Sequence, residues 1–375
     1  MNIKKIGYRI YGMFSQLFRF VPVKKGKVLF FMVHNSKFQS NFKYLYDAMK
    51  KENPNREFVV VSKAELFSGN GIKKLKGIFY FYVILNYHFA TSEYVFLNDN
   101  FLPLSCMHMK KCTKVVQMWH GIGAWKRFGL TTEKDTVTRK AVQKGNKKIT
   151  HLFVSAKRIV PFYEEAMGIS KKQIYPVGLP VLDFYFRDDL REKARKRFYS
   201  VCPQLKNKKI LLYTPTFRAT NEENEQIFSH FPIEQIKRAL GKDWDILVRL
   251  HPSLSGRYFF EPGGGYDVTD YKDIKDLYEV ADVLVNDYSS TMVEYALLHK
   301  PIVLYAYDLE KYDRGFYADY VENSPGPIVK DSEALVEAVK KQEIDEKARE
   351  RFLQLHYDYF DANNTRRVLD VLEEM

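Results

Sequence analysis

Four places in the sequence put reactive side chains directly behind short runs of β-branched and aromatic residues. Lys114–Trp119 leads into Trp119-His120-Gly121-Ile122-Gly123-Ala124-Trp125-Lys126, and Ile210–Thr214 into Tyr213-Thr214-Pro215-Thr216-Phe217-Arg218. Ile246–Arg249 leads into Arg249-Leu250-His251-Pro252, and Val283–Asp287 into Asn286-Asp287-Tyr288-Ser289-Ser290. Each type of residue has a chemistry. A histidine takes a proton from an attacking hydroxyl near neutral pH. An arginine is a fixed charge that grips a phosphate with two parallel N–H groups. Small hydroxyls at a strand-to-helix turn, beside free backbone N–H groups, make a phosphate cradle. Taken singly, each has a plainer reading. Ser and Asp are favoured helix caps, surface arginines are common, and a lone histidine such as His88 or His230 is best read as a satisfied core or capping residue. Four polar strand ends together, with two histidines and two arginines, are not what packing produces.

Other chemistries are not written in the chain. It has no P-loop, no G-x-S-x-G elbow and no metal-type histidine pair. Gly121-Ile122-Gly123 lacks the third glycine of a dinucleotide fingerprint, and Gly263-Gly264-Gly265 has no strand running into it. Cys106, Cys112 and Cys202 form neither a zinc spacing nor a disulfide framework, as suits a reducing cytoplasm.

Strand-end residues matter most in a parallel α/β sheet, whose ligands sit beyond the carboxyl ends of the strands, and the surrounding pattern is of that kind. Val28–His34, Phe58–Ser62, Tyr94–Leu97, Lys114–Trp119, Leu152–Ser155 and Ile174–Val177 read as buried strands, with helical stretches such as Asn41–Lys51 and Pro161–Met167 between them. Ile210–Thr214, Ile246–Arg249, Val283–Asp287 and Ile302–Tyr305 form a second series. Two successive βα runs in 375 residues predict two doubly wound, Rossmann-like domains. The charged stretch Asp188–Arg197 marks the break, giving 28–187 and 188–375 behind an amphipathic segment 1–27.

That first segment is distinctive. Ile3, Ile6, Ile10, Met13, Phe14, Leu17 and Val21 recur at helical spacing, and Pro22 with Lys24-Lys25-Gly26-Lys27 ends the run. No Asp or Glu occurs from Met1 to Tyr46, whereas the whole chain carries 59 Lys and Arg against 46 Asp and Glu, a formal charge of +13. An acid-free basic helix on a mixed-charge body points to an anionic membrane surface rather than a nucleic-acid groove. The expected contacts are Lys4, Lys5, Arg9, Phe14, Arg19, Lys24 and Lys25. A second segment, Lys73-Lys74-Leu75-Lys76-Gly77 followed by Ile78–Leu85, is too short to span a bilayer. It reads equally as a buried helix or as a second interfacial contact.

Trp119-His120-Gly121, Tyr213–Arg218, Arg249–Pro252, the block Ala281–Tyr305, Tyr307-Asp308-Leu309-Glu310, Arg314-Gly315-Phe316-Tyr317 and Pro325-Gly326-Pro327 together resemble the CDP-glycerol glycerophosphotransferases of wall teichoic acid synthesis. The resemblance runs from about Val28 onward. It implies a GT-B fold, with an acceptor-binding amino-terminal domain, a CDP-donor-binding carboxyl-terminal domain and a central cleft between them. It implies transfer of glycerol phosphate, or ribitol phosphate, to a lipid-linked acceptor such as an undecaprenyl-diphosphate-linked disaccharide, with release of CMP, at the cytoplasmic face of the bacterial membrane. The family's two motif histidines match His120 and His251. Its phosphate contacts match Thr216, Arg218, Ser289 and Ser290, and Thr214, Asp287 and Glu294 are assigned to the same donor set. No cofactor and no metal ligands are expected, although a divalent ion bridging the diphosphate is compatible with the chemistry. Ile122-Gly123-Ala124-Trp125-Lys126-Arg127-Phe128-Gly129 departs from the Thr-Pro-Leu-Lys that usually continues the motif in polymerases, and looks more like the primase-type members. Ala362 stands where the family often has Gly. Two rivals are a UDP-sugar transferase on the same fold and a non-catalytic polyanion binder, though no nucleic-acid module is present.

Overall fold

Continuous apolar runs such as Val28-Leu29-Phe30-Phe31-Met32 suit strands that are covered on both faces, which is the situation in a parallel sheet. A computed structural model describes residues 3–33, 38–218, 220–251, 254, 265–312 and 314–374, and its residues divide into two units. The first comprises Met1–Asp183 and Tyr357–Met375, and the second Phe184–His356.

The first unit holds β1 (Lys24–Met32), β2 (Phe58–Ser62), β3 (Ser92–Leu97), β4 (Lys114–Gln117), β5 (His151–Phe153) and β6 (Ile174–Tyr175). They form one sheet in the order β2-β1-β3-β4-β5-β6, and every pairing is parallel. Phe30 stacks on Phe96 at 4.8 Å across β1 and β3. The second unit holds β7 (Lys209–Thr214), β8 (Trp244–Val248), β9 (Tyr266–Asp267), β10 (Val283–Asn286), β11 (Ile302–Tyr305) and β12 (Ile328–Val329). Their order is β12-β11-β10-β7-β8-β9, again parallel throughout. Both sheets are therefore doubly wound, as expected. The strand order reverses between β1 and β3 in the first sheet and between β7 and β10 in the second, and these switch points are where crevices open beyond the strand ends.

Several expected boundaries are corrected. The lysines expected to end the first helix instead open β1. Lys27 is buried, its ammonium donating to Thr91 Oγ1 (2.9 Å) and paired with Glu57 (3.1 Å). The helix itself is Ile3–Leu17, and His34, expected to close the strand, lies outside the described residues, as do Pro252, Gly263 and Gly264. The segment 73–85 is part of a longer helical run, Ile72–Phe79, a π-turn Tyr80–Ile84 and Leu85–Thr91. The short strands β9 and β12 escaped a reading that needs at least four residues to see a period.

The division between units also differs from the sequence boundary. The helix Asp188–Val201 packs inside the second unit, where Arg191 and Arg195 pair with Glu279 and Arg197 with Asp276. Residues from Tyr357 onward leave the second unit and complete the first. The Asp183 carboxylate caps the helix Asn364–Glu373, accepting from the backbone N–H groups of Asn364 (2.7 Å) and Thr365 (3.1 Å) and from Asn364 Nδ2 (3.0 Å). Gly178 lies at φ 92°, and a Cβ there would sit 1.9 Å from Asn364 Oδ1. Only glycine fits that approach. A carboxylate at a helix start satisfies otherwise orphaned donors, and Val368, Leu369 and Leu372 of the helix are buried.

Candidate active site

In the first unit the polar chemistry gathers past the ends of β3 and β4. β4 stops at Gln117, two residues short of the expected end, because the chain turns out of the sheet at Trp119, which holds a left-handed φ of 41°. A bulky residue adopts that conformation only when its surroundings compel it. Here the Trp119 N–H donates to the Gln117 side-chain oxygen (3.0 Å), while Gln117 Nε2 donates to the Asp99 carbonyl (3.2 Å). Gln117 is wholly buried, so one amide ties the β4 turn to the β3 turn. His120 follows, with its side chain 44% exposed and its Nδ1 3.5 Å from Asp99 Oδ2. The glycine turn behind it hangs on Tyr163, whose buried hydroxyl donates to the carbonyls of Gly121 (3.3 Å) and Gly123 (3.0 Å). Ile122, Ala124 and Trp125 are buried, so the first half of the stretch that distinguishes this motif from the polymerase pattern belongs to the core, whereas Arg127 is exposed. A recess lined by Met32, Ser40, Asn41, Asn98, Met118, Trp119 and His120 adjoins the turn.

In the second unit the donor set flanks the switch point between β7 and β10. Thr214 closes β7, accepting from Asn286 Nδ2 (2.8 Å) and lying 3.0 Å from Thr291 Oγ1. The Asp287 carboxylate accepts from the Thr216 N–H (2.9 and 3.0 Å) and from Arg218 Nη1 (3.0 Å). The Ser289 N–H donates to the Asn286 side-chain oxygen (3.0 Å), and Ser290 precedes the helix Thr291–Tyr295. That helix has only five residues, so its dipole is weak, and any cradle here rests on local N–H and hydroxyl groups. Glu294 accepts from the Tyr185 hydroxyl (2.9 Å), and burial holds its carboxyl above the usual range. His251 is exposed, with its ring 4.5 Å from that of Phe217.

Arg218 corrects the expectation of a free phosphate fork. It is only 8% exposed. Its Nε and Nη2 engage Asp308 as a pair (2.7 and 3.0 Å), and Nη1 reaches Asp287 and the Thr216 carbonyl. Burial works against its charge, but the two carboxylates outweigh burial and hold its pKa above the ordinary value. Asp308 accepts in addition from the Tyr288 hydroxyl (2.7 Å). A guanidinium committed to two carboxylates shapes the loop. Thr216 is different. Its buried hydroxyl has no hydrogen-bond partner among the described residues, and such a group is costly unless a ligand supplies one. Among the described residues no three His, Cys, Asp or Glu side chains gather as a metal site.

The expected membrane residues are also placed. Lys5, Arg9, Arg19 and Lys25 are exposed, whereas Lys4 pairs with Asp135 (2.9 Å) and Lys24 with Glu57 (3.6 Å). Phe14 packs on Tyr82, on the side where Tyr11 is buried. The apolar residues left exposed are Ile10, Met13, Leu17 and Phe20, and on the second segment Ile72, Leu75, Ile78 and Phe79.

The sequence pattern of the CDP-glycerol:poly(glycerophosphate) glycerophosphotransferases matches residues 13–374. The chain belongs to this family. It is 30% identical over 361 residues to the teichoic acid ribitol-phosphate primase of Bacillus spizizenii, covering 94% of this chain and 92% of that protein. It is 31% identical over 297 residues to the teichoic acid glycerol-phosphate primase of Bacillus subtilis, covering 77% and 75%. The match to the teichoic acid poly(ribitol-phosphate) polymerase of B. spizizenii, 28% identical, covers 98% of this chain but 59% of that longer protein. In structure, the wall teichoic acid polymerase TagF superposes with a TM-score of 0.78 at 20% identity, over 99% of this chain and 95% of that one. A UDP-GlcNAc 2-epimerase from Methanocaldococcus jannaschii reaches 0.54 at 15% identity, over 93% and 100%. These two likenesses speak to the fold, and it is that of a GT-B transferase. A glycerophosphotransferase-family chain thus carries its motif histidines and hydroxyls immediately beyond parallel strand ends. Sequence reading missed Asp99, Gln117 and Asp308 as site residues. Asn98-Asp99-Asn100, directly after β3, is the same polar strand-end signal that exposed the others.

Proposed function

We propose that this protein transfers glycerol phosphate from CDP-glycerol to a hydroxyl of a lipid-linked saccharide, releasing CMP, as a primase-type step of teichoic acid synthesis. The observation that carries this reading is the set Thr214, Thr216, Asp287, Ser289 and Ser290 about the β7/β10 switch point in a chain of this family. His120 accepts the proton of the acceptor hydroxyl as its oxygen bonds to the phosphorus that bears glycerol. The bond from that phosphorus to the CMP oxygen breaks, and the electron pair leaves with CMP. Thr216 and the Ser289-Ser290 turn donate to the diphosphate, and His251 donates to the departing CMP phosphate. Positioning and charge stabilisation dominate such transfers. Arg218 contributes by holding Asp287 and Asp308 in place. The acceptor role of the first unit and the donor role of the second are part of the same reading.

CDP-ribitol is the second reading for the donor, favoured by the ribitol-phosphate primase that aligns with nearly the whole chain. Incubation with CDP-glycerol or CDP-ribitol and a lipid-linked disaccharide, followed by CMP assay and product mass, decides between them. No CMP from either donor removes the proposal.

The protein works, on this reading, as a peripheral enzyme at the inner membrane surface. No described helix is long and apolar enough to cross a membrane. Support comes from exposed Met13 and Leu17 on the first helix, Phe20 just past it, and Ile72, Leu75 and Phe79 on the second segment, with Arg9, Arg19, Lys73, Lys74 and Lys76 in the same stretches. Each basic side chain near an anionic surface contributes about 1 kcal/mol, and the apolar groups add burial. Binding to anionic vesicles should weaken with salt and weaken further when Met13, Leu17 and Phe20 become serine. Salt-insensitive or absent binding speaks against it.

A further inference from the structure

The acceptor base needs one ring nitrogen free and the other protonated, and the first unit contains the group that can enforce this. His120 Nδ1 stands 3.5 Å from Asp99 Oδ2. The two turns are not independent, since the buried Gln117 amide binds the Asp99 carbonyl with its N–H and the Trp119 N–H with its oxygen. The β3 turn is fixed a second way, because Asp99 Oδ1 accepts from the Asn100 N–H (2.6 Å), leaving Oδ2 toward the histidine. Asn98 Oδ1 accepts from the Val33 N–H (2.9 Å), joining the turn to the chain just past β1. Asp99 and His120 thus sit near the β1/β3 switch point of the first sheet, with the strained Trp119 directing the histidine outward.

We propose that Asp99 is the positioning residue for His120, an aspartate–histidine dyad that fixes the imidazole with its proton on Nδ1 and its lone pair on Nε2. The inference rests on the reading of His120 as the base. A carboxylate has no proton to give, so it selects the tautomer in which Nδ1 donates. The 3.5 Å separation is longer than a closed hydrogen bond, and such contacts tighten when substrate binds. As Nε2 takes the acceptor's proton the ring becomes an imidazolium, and the adjacent carboxylate stabilises that charge without changing its own protonation. Gln117 is the tie that keeps the two turns in register.

Asp99→Asn tests the dyad with almost no change in shape, because an amide can turn its N–H toward Nδ1 and favour the wrong tautomer. Turnover of CDP-glycerol and lipid-linked disaccharide should fall by roughly 10²-fold or more, with the KM for the donor unchanged, and Asp99→Glu should recover part of it. In histidine-labelled protein the ¹⁵N signals of the ring missing from His120→Ala identify His120. Those signals should show Nδ1 protonated in wild type and shift toward an Nε2 proton in Asp99→Asn. A purely structural aspartate would move neither the tautomer nor kcat alone. Near-normal turnover in His120→Ala overturns the base and the dyad together. A crippled His120→Ala beside an Asp99→Asn with wild-type kcat and an unchanged tautomer overturns the dyad alone.

Discussion

The turn that carries His120 and the loop that carries Asp287 solve opposite problems. Around His120 the side chain is 44% exposed with its ring 4.4 Å from that of Trp119, and the turn is held by the Gln117 amide, the Tyr163 hydroxyl and a tryptophan in a left-handed conformation. Around Asp287 the loop is buried and densely bonded, with Arg218 joined to two carboxylates and Tyr288 and Tyr320 donating to Asp308 and to the Asp287 carbonyl. On the proposed reading, the first arrangement leaves a base accessible to a bulky acceptor. On the same reading, the second fixes a loop in advance of a small, highly charged donor, which avoids the cost of ordering it on binding. The comparison would then separate a residue that reacts from residues that hold shape, and substitutions should separate them too.

The largest effect belongs to the exposed side. His120→Ala should lower kcat by roughly 10²–10⁴-fold with thermal stability little changed, since the ring is part-exposed and gives up mainly its contact with Trp119; steady-state rates and a melting curve check both halves. On the buried side the expected effect is on the fold. Arg218→Met leaves Asp287 and Asp308 facing each other without their cation, and breaking a buried pair in this way costs about 3–5 kcal/mol, measurable by urea titration. Arg218→Lys should recover only part, because an ammonium cannot engage Asp308 with two parallel bonds. An Arg218→Met protein of full stability with weakened donor binding would return Arg218 to the role of a phosphate clamp.

A smaller effect discriminates more finely. Thr216→Val removes a buried hydroxyl without a partner among the described residues, so the free protein should be as stable or slightly more so. CDP-glycerol binding should weaken by about 1.5–3 kcal/mol, the range for a hydrogen bond to a charged group, read by calorimetry. Equal stability and equal affinity would show that the hydroxyl serves neither. The smallest effect lies at the surface. Lys4→Ala breaks an exposed pair with Asp135 that solvent and salt screen, and the melting temperature should barely move.

The same contrast explains what could be read from sequence. Strand runs such as Ile302–Tyr305 and Val283–Asn286 were legible almost to the residue, because burial on both faces leaves an unbroken apolar signature. His120, Thr216 and Ser289 stood out because polar groups at strand ends have no packing reason to be there. Arg218 was legible as a position but not as a role, since residue type alone does not reveal that Asp308, 90 residues away, occupies its fork. The Lys24–Lys27 cluster misled for a similar reason, since Glu57 neutralises part of it only after β1 and β2 pair. Asp99 was passed over because β3 was read for its apolar residues and its ending was not.

The return of the helix Asn364–Glu373 to the first unit bears on how the protein is made. Synthesis proceeds from the amino terminus, and a chain's early domains ordinarily fold first. Here the earlier unit must wait, for Asp183 and the surface that receives Val368, Leu369 and Leu372 stay uncovered until residues beyond 356 leave the ribosome. Residues 184–356 have their whole sheet in hand before that. The later unit can therefore settle ahead of the earlier one, and the nascent first sheet spends the interval as the part of the molecule most in need of a chaperone.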